Sequence, residues 1–180
     1  MKQGGNIMKK ILIICLSILS LTQAKSNTEQ VGDIFAILIP AVGMGTALAL
    51  EDKEGQIEFL KTYGSTAAAT QILKYTVRAP RPNGSDSITS FPSGHSSSAF
   101  SGASFIHKRY GISYAIPAYI AATYTAYSRV YADKHYTRDV IAGALLGMGF
   151  SWYFVSPYEN LQVTPTVDKD AYGVQFKYKW

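Results

Sequence analysis

The sequence predicts an all-α fold, a single helical bundle associated with a membrane and ending in a short aromatic tail. Three observations carry this expectation. Apolar stretches of helical length recur at about 31–50, 57–77, 112–127 and 139–155, each cut off by a polar or turn-forming segment. Strict apolar/polar alternation is confined to the C-terminal end. With 180 residues, the chain has room for one continuous core and little room for a second.

The elements follow in order. Residues 1–24 read as a secretory signal: Lys2, Lys9 and Lys10 precede the apolar run ILIICLSILSL, and TQA ends at Ala24. An uncleaved membrane anchor is the alternative, and either way the body is exported. That body is expected to span 25–157, with a tail at 158–180. After the polar lead-in KSNTEQ, the segment VGDIFAILIPAVGMGTALAL is apolar except for Asp33 and approaches the length of a membrane span. Pro40 and three glycines make it an irregular helix. EDKEG breaks the pattern. Residues 57–77 form a second helix, with Phe59, Leu60, Tyr63, Ala67, Ile72 and Leu73 as its buried candidates, while Glu58, Lys61, Gln71 and Lys74 make it a poor lipid-facing helix.

RAPRPNGSDSITS, at 78–90, is a loop by composition. A short helix over 96–106 can end at KRYG, and another runs over 112–127 despite Pro117. The polar VYADKHYTR interrupts before Asp139 opens DVIAGALLGMGFSWYFV, which is apolar around most of its helical circumference and so implies burial in a bundle or in lipid. In DAYGVQFKYKW, alternation admits a terminal strand, but the preferred reading is an aromatic tail packed over the helices.

Composition excludes several chemistries. The one cysteine, Cys15, lies inside the signal, so the body has no disulfide, thiolate ligand or cysteine nucleophile. The signal takes three lysines and no acids from the 17 basic and 12 acidic residues, and the formal charge drops from +5 to +2. A near-neutral body gives no electrostatic case for nucleic acid. There are only three histidines and no HExxH pair, so no metal site is expected. No cofactor is expected, and no glycine-rich loop ends in Lys and Ser/Thr.

The polar residues between the helices fall into three clusters: KYTVRAPRP at 74–82, PSGH at 92–95, and SRVYADKHYTRD at 128–139. Loops of a bundle can converge at one end although far apart in sequence. Lys74, Arg81 and Arg129 offer a compact charge and two planar forks to a tetrahedral oxyanion. A helix starting near Ser96 would aim its unpaired amides at the preceding loop, where Gly94 allows close approach and Ser93 adds a hydroxyl. His95 then stands beside the anion, able to transfer a proton. His135 and Asp139, four residues apart, share a helical face, so the carboxylate can orient one ring nitrogen and leave the other to attack phosphorus. His107 sits at a helix end as a solvated or dipole-facing histidine, without a catalytic role.

These three clusters carry a family pattern. Lys74 through Arg81-Pro82, Pro92-Ser93-Gly94-His95, and Ser128-Arg129 with His135 and Asp139 together resemble the type 2 phosphatidic acid phosphatase (PAP2) superfamily, which includes bacterial non-specific acid phosphatases and vanadium haloperoxidases. The resemblance implies a PAP2-like helical bundle and a metal-independent phosphomonoesterase. It implies His135 as nucleophile through a phosphohistidine, Asp139 as its orienting carboxylate and His95 as proton donor to the leaving oxygen. Lys74, Arg81, Ser93, Gly94 and Arg129 would hold the phosphoryl oxygens. Integral lipid phosphatases of the superfamily commonly have six membrane helices, and this chain offers four or five.

The expected partner is a phosphorylated lipid: phosphatidate, phosphatidylglycerophosphate, undecaprenyl pyrophosphate or a lipid A phosphate. The expected place is the periplasm or the periplasm-facing inner membrane of a bacterium. A soluble periplasmic acid phosphatase acting on small phosphate esters is the alternative. A non-catalytic envelope protein that binds phosphate headgroups, and haloperoxidase chemistry, also remain open. Oligomeric state is not legible.

Overall fold

A computed structural model describes residues 27–158, 161–168 and 171–178. The expected signal at 1–24 lies outside the described residues. Among the described residues five helices form the bundle: α1 (Asn27–Ala49), α2 (Lys53–Val77), α3 (Gly94–Tyr110), α4 (Ile112–Tyr131) and α5 (Thr137–Phe154). An antiparallel hairpin follows, β1 (Leu161–Asp168) paired with β2 (Ala171–Tyr178), in a register that sets Leu161 opposite Tyr178. Of the two readings open for the tail, the strand is the one observed. Tyr172 to Gln175 are exposed and do not lie over the helices.

α3 is the central helix and packs against all four others. Its sequence explains this, because Ser96, Ser97, Ala99, Ser101, Gly102, Ala103 and Ser104 are all buried and all small, so neighbours can approach from every side. The closest approach is to α5. A β-carbon on Gly143 would fall 2.5 Å from the Ser93 carbonyl, and one on Gly147 would fall 2.5 Å from that of Ser97. One turn further, Ser151 Oγ donates to the Ser101 carbonyl at 3.1 Å. This seam of small residues, each four apart, presses the start of α5 onto the loop that opens α3.

The helix limits differ from expectation where caps act. α1 runs unbroken through Pro40. α2 begins at Lys53, because Asp52 caps it by accepting from the Gly55 amide at 2.9 Å. Arg109 holds Asp52 in turn, with Nη2 and Nε at 2.5 and 2.8 Å, and also reaches Glu58 and Ser156. Burial opposes the Asp52 charge, but bonds from Arg109, the Gly55 amide and Tyr110 hold its carboxyl below the ordinary range. This network ties the start of α2 to the end of α3, at the far end of the bundle from the residues described below.

The core inverts one expectation. α2 turns Thr62, Thr66 and Thr70 inward, where Thr70 bonds Ser97 at 3.0 Å, and leaves Leu60 and Ile72 exposed. Thr66 and Thr70 reach Ser101 and Ser97 across a close helix contact, at 3.5 and 3.0 Å, so small hydroxyl residues form much of the buried face here and Leu60 and Ile72 look outward. Phe105 is the largest fully buried side chain, and most of the others are Ser and Thr. Apolar chains stand outward on every helix but α3, among them Ile37, Leu60, Ile120 and Leu145. α1 is long and apolar enough to cross a membrane. His107 is not solvated: it packs edge-on between Tyr119 and Trp152, with Nδ1 3.2 Å from the Tyr119 hydroxyl.

Candidate active site

The site forms where α2 ends, α3 and α5 begin, and α4 ends. Lys74 lies in the last turn of α2, and its ammonium donates to the Thr89 carbonyl at 2.6 Å. Arg78 stops that helix in the left-handed region at φ 53°. The following loop returns to the bundle through a cis Phe91–Pro92 peptide and a bond from the Ser93 amide to the Asp139 carbonyl, 2.9 Å. Ser93, fully buried, caps α3. Lys74 Cε passes 3.8 Å from where a β-carbon of Gly94 would sit, so the open amides at the start of α3 face the lysine. The Arg81 Nε is buried without a hydrogen-bond partner among the described residues.

His135 is held in the α4–α5 connection by its amide, which donates to the Arg129 carbonyl at 3.2 Å. The ring is 4% exposed. Its Nδ1 lies 3.8 Å from Asp139 Oδ2, an ion-pair distance and too long for the expected hydrogen bond. Asp139 is instead occupied by Ser90 Oγ at 2.5 Å and the Tyr136 amide at 3.0 Å, the latter locking it as the third residue of α5. Both His135 Nδ1 and Asp139 Oδ1 are buried without a hydrogen-bond partner among the described residues, Oδ1 lying 3.5 Å from Arg138 Nε, so a shift of about 1 Å would join the imidazole to the carboxylate.

Electrostatics set the protonation state. Burial pushes the His135 imidazole down to about 4, and Lys74 and Arg81 push the same way against the Ser90 carbonyl and Asp139. The ring is therefore neutral at pH 7, as a nucleophile must be. Lys74 falls to about 8 through its own burial and the Arg81 charge, with Asp139 opposing. Two cations beside a neutral imidazole are charge-matched to a phosphate dianion.

Arg129 and His95 occupy the other side, and here α1 intervenes. Asp33 Oδ1 stands 2.7 Å from Arg129 Nη1 and 2.9 Å from His95 Nε2. Arg129 Nη2 donates to the Glu29 carbonyl at 2.8 Å and Nε to Ser128 Oγ at 3.3 Å. Nη1 also lies 3.8 Å from Glu29 Oε1, an ion-pair distance. Arg129 is thus braced by the protein more than the sequence implied.

All eight residues singled out in the sequence come together at this end. Asp33 and Ser90 also belong to the site and were not singled out. For Asp33 a signal existed, as the lone acid in an apolar run; for Ser90 there was none. Beside Gly94, a small cleft of about 110 Å³ runs between α2 and α3, lined by Tyr63, Thr66, Thr70, Gln71, Ser97 and Ser98. Among the described residues no group of His, Cys, Asp and Glu could hold a metal ion.

The sequence model of the PAP2 superfamily matches residues 56–162, a stretch that contains all three motifs. The chain belongs to the PAP2 superfamily. It is a PAP2-family hydrolase. Among curated relatives it is 35% identical over 170 residues to a Lipid A 4'-phosphatase of Helicobacter pylori, covering 84% of this chain and 85% of that one. It is also 35% identical over 88 residues to a Lipid A 1-phosphatase of Porphyromonas gingivalis, covering 46% of this chain but 20% of that longer one. No solved structure gives a significant match.

Proposed function

We propose that this PAP2 chain is a metal-independent phosphatase that removes phosphate from a lipid-linked sugar of the lipid A type at the periplasmic face of the membrane. The observation that carries the reading is His135: buried, neutral at pH 7, 3.8 Å from Asp139 and within the field of the Lys74 and Arg81 cations. In the first step His135 Nε2 attacks phosphorus, the P–O bond breaks, and its electron pair leaves with the sugar oxygen as His95 supplies a proton. Lys74, Arg81, the Ser93 hydroxyl, the amides opening α3 and the remaining N–H groups of Arg129 hold the phosphoryl oxygens as charge moves onto them. Asp139 stabilises the imidazolium that forms. Water then attacks the phosphohistidine, His95 takes its proton, and His135 is released with phosphate.

Three further observations support a lipid substrate. The Helicobacter relative named for lipid A is similar over most of both chains. The hydroxyl-lined cleft beside Gly94 offers hydrogen bonds to a polar headgroup. Large apolar side chains stand outward on α1, α4 and α5 around an interior rich in Ser and Thr, a distribution suited to hydrocarbon.

The test is phosphate release by the purified chain in detergent micelles, with chelator present, from phosphorylated lipid A and from a soluble aryl phosphate. Release from lipid A that is insensitive to chelator is expected. Release that requires added metal, or that occurs only from soluble esters, would contradict the reading.

A further inference from the structure

Asp33, one of two acids on α1 with Glu29, has no part in the three motifs and lies outside the matched residues 56–162. Yet Asp33 reaches into the site. It is the one charged residue between 31 and 50, on a helix otherwise suited to lipid. An isolated carboxylate there is costly unless cations compensate it. Compensation is what the contacts provide: Oδ1 is shielded from solvent and lies between Arg129 at 2.7 Å and His95 at 2.9 Å. Gly32, its neighbour, makes the approach feasible, since any β-carbon there would collide with the Ser128 side chain. α1 is therefore docked where the site needs it.

We propose that Asp33 is a positioning residue for the leaving-group proton: it holds His95 Nε2, so that the ring presents its proton from Nδ1 to the departing oxygen. The inference rests on the proposed phosphatase reading. Two cations side by side, the Arg129 guanidinium and a protonated His95, repel each other, and an anion between them lets both keep their charge. The ring is also half-exposed, and Asp33 is one group that fixes its orientation. As the P–O bond breaks, its electron pair goes to the leaving oxygen, the Nδ1 proton follows it, and His95 ends neutral with Nε2–H still directed at Asp33.

Leaving groups separate this role from a structural one. An alkoxide leaving from a sugar or alkyl phosphate needs the proton; a 4-nitrophenolate does not. In Asp33→Asn, kcat/KM for a sugar or alkyl phosphate should fall about 30-fold or more, approaching the roughly 100-fold or greater contribution of a general acid, while kcat/KM for 4-nitrophenyl phosphate should change less than about threefold. His95→Gln should show the same selectivity. Asp33→Ser serves if the Asn variant does not fold. Equal losses on both substrates would make Asp33 a support of Arg129 only, and unchanged rates would remove it from the reaction. Gains on both would mean that its carboxylate occupies the phosphoryl position. Each of these overturns the proposal. A wild-type chain that hydrolyses neither substrate would instead fail the phosphatase reading, and this inference with it.

Discussion

The depressed basicity of His135 can be tested by removing one of its causes. Burial comes first and Lys74 second, so Lys74→Met keeps the packing volume and deletes a charge. In the wild type the ring should titrate at about 4, against an ordinary value of 6.5. That gap is worth about 3 kcal/mol at 1.36 kcal/mol per unit. Because the folded value is lowered, the unfolded chain binds the proton first. The cost is absent above pH 6.5, grows as pH falls, and is complete below about 4. Deleting a nearby like charge should raise the value by about one unit, so the acid-range loss of stability attributable to this group should shrink to about 2 kcal/mol. The assay is a proton NMR titration of the ring C–H resonances between about pH 3 and 9, with His135→Gln assigning the signal among the three histidines. Thermal unfolding at matched pH checks the linkage. A wild-type ring that titrates near its ordinary value, or one that Lys74→Met leaves unmoved, would refute the electrostatic account of the nucleophile.

Other outcomes follow from the packing and the cup. Arg109→Met strands Asp52 and Glu58 without their cation and should cost about 3–5 kcal/mol in thermal or denaturant unfolding; activity per folded molecule should hold, since this network lies at the far end from His135. Gly143→Val drives a side chain into the Ser93 carbonyl and should cost about 1–3 kcal/mol and lower kcat more than tenfold, because it separates the start of α5 from the loop opening α3. Orthovanadate should inhibit and raise the unfolding temperature, by about 2.7 kcal/mol of stability at a hundredfold excess over Kd, whereas chelator should change neither. Inhibition by chelator would contradict a cup built from protein cations.

The site was legible because its chemistry sits in loops with strong local signals. Pro92 and Gly94 punctuate the start of α3, and His135 and Asp139 are close enough in sequence to meet, although His135 lies before the cap of α5 and not on a shared helical turn. Helix existence was legible for a similar reason, since apolar stretches and turn residues alternate along the chain. Which face of a helix is buried was not. For α2 a water-based reading buried Leu60 and Ile72, whereas close helix contacts through Thr66, Thr70, Ser97 and Ser101 put hydroxyls inside. Pairing was equally hidden. Nothing local to Asp33 announces that it will meet Arg129 and His95, and nothing near Ser90 announces its bond to Asp139, because both contacts arise from tertiary packing. The 3.8 Å between His135 and Asp139 belongs to the same class: the expected shared helical face does not form, because His135 lies in the connection before the Tyr136 cap, while Ser90 and the Tyr136 amide occupy Asp139.

The covalent step is the centre of the account, and rapid-quench labelling tests it most directly. The wild-type chain is mixed with a substrate carrying radioactive phosphate, quenched in alkali within the first turnovers, and digested for peptide mapping. The account predicts label on the peptide containing His135, stable in alkali, lost in acid, and absent from the His135→Ala variant. Label on a different residue, or undiminished label in His135→Ala, would contradict it.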